Sequence, residues 1–150
     1  MSITLQIEED SWRPARLMAR LRRASALALA EQGASGSLSI LLADDARVHA
    51  LNAAFRKMDK PTNVLSFPAS APEIAEGYLG DIILAYGVCA REAAEAGKTL
   101  ADHAVHLTVH GTLHLLGFDH IDPAEAEVME AAEIVILAKL GIADPYVLKS

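Results

Sequence analysis

Between His110 and His120 the chain reads His-Gly-Thr-Leu-His-Leu-Leu-Gly-Phe-Asp-His, the stretch that most restricts how the rest can fold. His110 and His114 are four apart, so on an α-helix their imidazoles lie one turn above the other on the same face, close enough to share one ion. Gly117 then offers a left-handed turn that ends the helix and swings the chain back over its last turn. His120 can follow as a third imidazole. Three neutral imidazoles with one open position form a catalytic zinc pattern, whereas structural zinc sites close all four positions, mostly with cysteine. The chain has one cysteine, Cys89, so a closed thiolate site is not available.

That helix sits in a chain of 150 residues, the length of one domain able to bury most of its apolar surface. With 52% hydrophobic and 22% charged residues it reads as a soluble globular protein. Met1 to Asp10 carries acids where a signal peptide needs a basic segment and an apolar run. No apolar run approaches the roughly 18 residues of a membrane span. A lone cysteine suits a reducing compartment, so a cytoplasmic protein is expected. The net charge of −7 argues against indiscriminate binding to nucleic acid. Charge is nevertheless uneven: Asp10 to Arg23 holds five arginines and one acid, and Asp119 to Ser150 holds seven acids and two lysines. An acidic chain can therefore still present a basic face.

The period-two alternation of Ile3, Leu5 and Ile7 predicts a first strand. Ser11 and Pro14 signal a helix start, and Leu17, Leu21, Ala24 and Ala28 continue at helical spacing to the break at Gly33 and Gly36. Ser37 to Ala43 predicts a second strand. Asp44 can cap a helix reaching about Phe55, with Val48, Leu51, Ala54 and Phe55 as its buried stripe. Arg56 to Asn63 is polar, basic and proline-containing, which reads as an exposed loop. Val64 to Phe67 is a very short strand that Pro68 confines to an edge or an end. Ala69 to Gly77 lacks periodicity and reads as a connection.

Leu79 to Ala85 predicts a fourth strand, with Asp81 as a polar interruption that needs a partner. A helix over Tyr86 to Ala96 stops at Gly97. Thr99 with Asp102 resembles a capping box opening the long histidine helix. On it His103, His106, His110 and His114 fall within an arc of about 80° at 100° per residue. His103 is too far along the helix to reach an ion shared by His110 and His114, so His103 and His106 read as lining or supporting residues. Asp122-Pro123-Ala124-Glu125 starts a last helix. It runs to about Leu140 and stops at Gly141, with Val128, Ala132, Val135 and Leu140 among its buried candidates. The expected fold is a single α+β domain: a small mixed sheet of about four strands packed with about five helices, the zinc site at the end of the long helix.

A zinc ion with one open position can polarise a phosphoryl or carbonyl oxygen, or acidify a bound water. The spacing His-x3-His-x2-Gly-x2-His also matches the zinc arrangement of metzincin proteases. Those place a glutamate general base directly after the first histidine, where this chain has Gly111, which argues against peptidase chemistry.

The stretch from His110 to His120 resembles the signature of the YbeY family of bacterial endoribonucleases, which mature ribosomal RNA. Phe55-Arg-Lys-Met-Asp-Lys-Pro-Thr-Asn-Val-Leu-Ser-Phe-Pro68 and Leu79-Gly-Asp-Ile82 resemble two further segments of that family, in the same order and at the same separations. The similarity is good from about Leu51 to His120 and looser in the flanks. Phe118 departs from it, standing where tyrosine is expected.

The resemblance implies that His110, His114 and His120 hold one zinc ion and that Arg56 is the key catalytic residue outside the metal site. An arginine can clamp the scissile phosphate and stabilise its growing charge, which agrees with that assignment. Thr62 and Ser66 are candidate phosphate or ribose contacts. Asn63 is expected to shape the turn. Asp81 and Asp119 are candidates for orienting the ligands from behind, since metal-bound imidazoles usually donate their other N–H to a carboxylate or carbonyl. The implied activity is cleavage of single-stranded RNA in ribosomal RNA maturation, at the 3′ end of the small-subunit RNA, and in ribosome quality control. The small ribosomal subunit and its proteins are the implied partners, with no DNA or membrane partner. Attack comes either from a zinc-activated hydroxide or from the ribose 2′-OH, and no side chain stands out as the general base. Two rival readings are a metalloprotease-like hydrolase and a non-catalytic, zinc-stabilised ribosome assembly factor.

Overall fold

The structure, a computed structural model, describes residues 2–12, 16–56, 62–119 and 121–146, except for the side chain of residue 56. Strand β1 (Ile3–Ile7) leads through a 3-10 turn at Asp10–Trp12 to helix α1 (Leu17–Glu31). Strand β2 (Ser37–Ala43), helix α2 (Asp45–Arg56) and strand β3 (Val64–Pro68) follow. Helix α3 (Ala71–Ala75) precedes β4 (Tyr78–Ala85), and helices α4 (Tyr86–Ala96), α5 (Leu100–Leu115) and α6 (Pro123–Lys139) complete the order. None of these helices is long and apolar enough to cross a membrane.

The four strands form one sheet in the order β1-β2-β4-β3. β1 and β4 run parallel to β2, and β3 runs antiparallel to β4, so the sheet is mixed, as the sequence predicts. β3 lies at an edge with Pro68 as its last residue, where a missing N–H costs the ladder nothing.

Side chains alternate between the two faces of each strand. Leu38, Ile40, Leu42, Ile82 and Leu84 pack with α1, α5 and α6 into the main core. Ala43, Leu65, Ile83 and Ala85 face the other way, where Val48 of α2 covers them in a smaller cluster. Helix α5 is the spine of the main core: its residues from His103 to Val109 are all buried. A helix apolar on nearly every side is stable only when surrounded. One buried hydroxyl on α5, that of Thr112, is bonded on two sides. Thr112 donates to the Thr108 carbonyl at 2.8 Å, which leaves Ser25 of α1 to donate to Thr112 Oγ1 at 2.9 Å. That bond pins α1 to the helix carrying the histidines.

Several cap signals act as read. Asp44 accepts from the Arg47 N–H, Thr99 from the Asp102 N–H and Asp122 from the Glu125 N–H. Other expectations need correction. Ala69 to Gly77 contains α3, opened by a capping box between Ser70 and Glu73, which brings the described helices to six. Ala54 and Phe55 do not belong to a buried stripe: Ala54 is exposed and Phe55 is 71% exposed, while Asn52 is buried beside Val48. On α6, Val128 and Val135 point to solvent, and Met129, Glu133, Ile136 and Leu137 fill the buried face. Helix α1 begins at Leu17 after Arg16, whose φ is 69°, and Pro14 lies outside the described residues.

Candidate active site

Helix α5 delivers His110 and His114 by its period alone, one turn apart on the side facing β3. Their Nε2 atoms converge to 3.1 Å, with the rings crossed at 77°. Two nitrogens bound about 2.05 Å from one tetrahedral zinc ion stand about 3.3 Å apart, so this pair fits such an ion.

The helix ends immediately below. The Phe118 N–H reaches the Leu113 carbonyl and the Gly117 N–H the His114 carbonyl, the two bonds of a Schellman turn. Gly117 has φ 99°, which its lack of a Cβ permits. The turn brings Asp119 into the same cleft as the two histidines. His120 lies outside the described residues. Among the described residues no group of three or more His, Cys, Asp or Glu side chains is placed to hold an ion.

Behind the histidines stands a residue that the sequence reading missed. Glu133 of α6 is fully buried, and its Oε2 lies 3.3 Å from His110 Nδ1. Its Oε1 lies 2.9 Å from His106 Nε2 and accepts from the Tyr146 hydroxyl at 2.9 Å. Burial works to raise the carboxyl pKa, but the hydrogen bonds from His106 and His110 prevail and bring it down to about 2. A carboxylate at Nδ1 requires the proton there, so Nε2 of neutral His110 carries the lone pair, aimed toward His114. Burial pushes the Tyr146 hydroxyl pKa up, and the Glu133 charge beside it adds to the rise.

His103 is placed one layer further back. Its Nε2 meets Glu92 Oε1 at 2.9 Å, and the Asn63 side-chain amide donates to the same oxygen at 3.0 Å. Asn63 thereby ties the start of β3 to α4, beyond the turn-shaping role read from sequence. Burial holds the His103 pKa below its ordinary value, against the pull of Glu92. Of the two, His106 shares Glu133 with His110, whereas His103 is engaged by Glu92.

The cleft in front of the histidines has a volume of about 840 Å³ and is lined by Thr62, Ser66, Phe67, His110, His114 and Asp119, among others. Ser66 also donates to the Gly111 carbonyl at 3.1 Å, so its hydroxyl fastens the edge strand to α5. Asp81 is not brought to the histidines. It alternates with Gly80 and Ile82, which face α5, and therefore lies on the opposite sheet face, accepting from the Tyr78 hydroxyl at 2.5 Å. No ligand-orienting role for Asp81 follows from that position. Arg56 ends α2, and its side chain lies outside the described residues, as does the stretch 57–61.

Gly111 explains its own identity. A Cβ there would meet Ile82 Cγ2 at 3.0 Å and Ser66 Oγ at 3.1 Å. Position 111 faces the sheet, so a glutamate there would enter the packing against β4 and could not act as the base of a peptidase.

The family model for endoribonuclease YbeY matches residues 3–141. The chain is 54% identical to the Endoribonuclease YbeY of Rhizorhabdus wittichii, over 85% of this chain and 81% of that protein. It is 49% identical to that of Azorhizobium caulinodans, over 99% of this chain and 98% of that protein. The solution structure of the Thermotoga maritima protein TM1509 superposes with a TM-score of 0.61 over 97% of this chain and 99% of that one. At 20% identity that likeness concerns the fold. With nearly its whole length matched, the chain belongs to the YbeY family of endoribonucleases.

Proposed function

We propose that this protein is a zinc-dependent endoribonuclease that cuts single-stranded RNA during ribosomal RNA maturation, including the 3′ end of the small-subunit RNA, and in ribosome quality control. The observation that carries the reading is the pair of converging Nε2 atoms of His110 and His114, backed by a buried carboxylate and opening on a cleft. His110, His114 and His120 are the residues that would hold the ion. A zinc ion there supplies Lewis-acid polarisation of a phosphoryl oxygen and a lowered pKa for water.

The chain's own residues do the remaining work. Glu133 keeps the proton of His110 on Nδ1 and fixes the ring plane. Arg56 clamps the scissile phosphate and takes up charge that grows on its oxygens, with Thr62 and Ser66 as further phosphate or ribose contacts. Asp119 supports a ligand from within the cleft. The attacking oxygen is that of water or of the ribose 2′-OH. A cytoplasmic protein acting on the small ribosomal subunit is the setting this chemistry serves.

The test uses the purified full chain with its metal, Arg56→Ala and His114→Ala, measuring zinc content, thermal stability and cleavage of a single-stranded RNA. Arg56→Ala should keep fold and zinc and lose at least tenfold in cleavage. His114→Ala should lose zinc and cleavage. Wild-type cleavage by Arg56→Ala would remove that residue from the chemistry. Metal-dependent cleavage of casein without cleavage of RNA would favour a peptidase. A 2′,3′-cyclic phosphate on the product marks internal attack, and a 5′-phosphate marks attack by water.

A further inference from the structure

Phe55 occupies an unusual position for a large apolar side chain. It sits in the last turn of α2, 71% exposed, with its ring 5.9 Å from that of Phe67 at 68°. This edge-to-face contact holds one side of the ring and leaves most of it open.

Two depressions meet at this ring. Phe55, Phe67 and Pro68 line the histidine cleft, and the same three residues line a groove of about 740 Å³ on the opposite face of the sheet. The groove is therefore the continuation of the cleft around the edge strand β3. Its polar lining comes from Thr4, Gln6, Ser39, Arg47 and Asp81. Arg47 is engaged by Glu8 at 3.0 Å, and Asp81 brings a negative charge. Such a surface is poorly suited to a phosphate, and its mixture of amide, hydroxyl and carboxylate groups suits the edges of a nucleobase. A single RNA strand presents both kinds of group: phosphates for the histidine end and flat bases for an open aromatic ring.

We propose that Phe55 is a base-stacking shelf, on which a nucleobase close to the scissile phosphate lies while the strand passes over the β3 edge into the groove beyond. The inference rests on the reading of the protein as a nuclease for single-stranded RNA and adds a positioning residue and a path for the strand. Because the ring is solvent-facing, its replacement leaves the core intact.

The experiment measures binding of a single-stranded RNA oligomer to the metal-loaded chain by fluorescence anisotropy, and its cleavage, for the parent, Phe55→Leu and Phe55→Tyr. A set of oligomers carrying one abasic nucleotide at successive positions is bound by each. Stacking predicts that Phe55→Leu weakens binding roughly tenfold, that Phe55→Tyr binds like the parent, and that melting temperature and zinc content stay unchanged. One abasic position should cost the parent a similar factor and Phe55→Leu almost nothing, since both changes remove the same contact. Phe55→Leu binding as tightly as the parent, or losses that multiply at every abasic position, would overturn the shelf. A parent that binds RNA without cutting it refutes the nuclease reading, and the abasic series still decides the stacking. A parent that does not bind RNA overturns both.

Discussion

Glu133 Oε2 lies 3.3 Å from His110 Nδ1, joining α6 to α5 at the ring whose other nitrogen faces His114. The carboxylate also serves His106 and Tyr146, so a single buried anion organises three side chains. Glu133→Gln keeps the shape and removes the charge, and its amide NH₂ turns one oxygen site into a donor facing other donors. We expect a loss of about 1–3 kcal/mol in stability from the unmatched buried groups. Zinc affinity should fall about 10- to 100-fold. Chemical denaturation and chelator competition measure the two effects, and parent-like zinc affinity would show that Glu133 does not tune the ligands.

Acid should weaken the fold in two steps. Burial keeps the His103 pKa below 6.5, so as pH falls through 6.5 the unfolded chain takes up a proton that the folded chain refuses. Stability therefore decreases with falling pH until the lower folded pKa is passed. Glu133 titrates from about 4.5 in the unfolded chain to about 2 when folded, and its contribution is present above pH 4.5 and lost as pH drops toward 2. Urea midpoints between pH 7 and pH 5 should decline in the parent and decline less in His103→Gln. Equal slopes would sink the first step.

Placing the missing peptidase glutamate at position 111 should unfold the protein and yield no protease. Its Cβ would begin 3.0 Å from Ile82 Cγ2, and its charge would be driven between α5 and the sheet. A cost above roughly 3 kcal/mol is expected from overpacking together with an unpaired buried carboxylate. A melting temperature for Gly111→Glu within a few degrees of the parent would contradict the packing described.

The Ser25–Thr112 bond offers a coupled pair across α1 and α5. Ser25→Ala leaves Thr112 bonded to the Thr108 carbonyl and should cost about 1 kcal/mol. Thr112→Val strands the Ser25 hydroxyl in the core and should cost about 1–3 kcal/mol. The double variant should lose less than the two changes added together. Strict additivity in denaturant titrations would mean that the two hydroxyls do not interact.

The caps and alternating strands were legible because each signal is local. Thr99, Asp122 and Gly117 act within one turn of themselves, and Ile3, Leu5 and Ile7 need only period two. Glu133 was hidden because α6 is apolar on both sides, so periodicity did not choose between the Val128–Val135 face and the Met129–Ile136 face. The glutamate in the middle of Met129, Ile136, Leu137 and Leu140 was the available clue. Helix α3 is too short for periodicity, although Ser70-Ala-Pro-Glu73 spells its cap. Asp81 was misplaced since one step along a strand reverses its side, and only pairing with β2 and β3 sets which side faces α5. The spacing of His110 and His114 was readable, while the status of His120 and the Arg56 side chain lies outside the described residues.

Helix α5 presents the histidines at one end and fills the main core along the rest of its length. Adjusting the histidine pair and adjusting the stability of the protein are therefore not independent operations. A substitution that shifts this helix by a fraction of an ångström reaches both, whereas the exposed Phe55 at the end of α2 can vary at little thermodynamic risk. Adaptation to a different RNA is accordingly open at the rim of the cleft and closed at its floor.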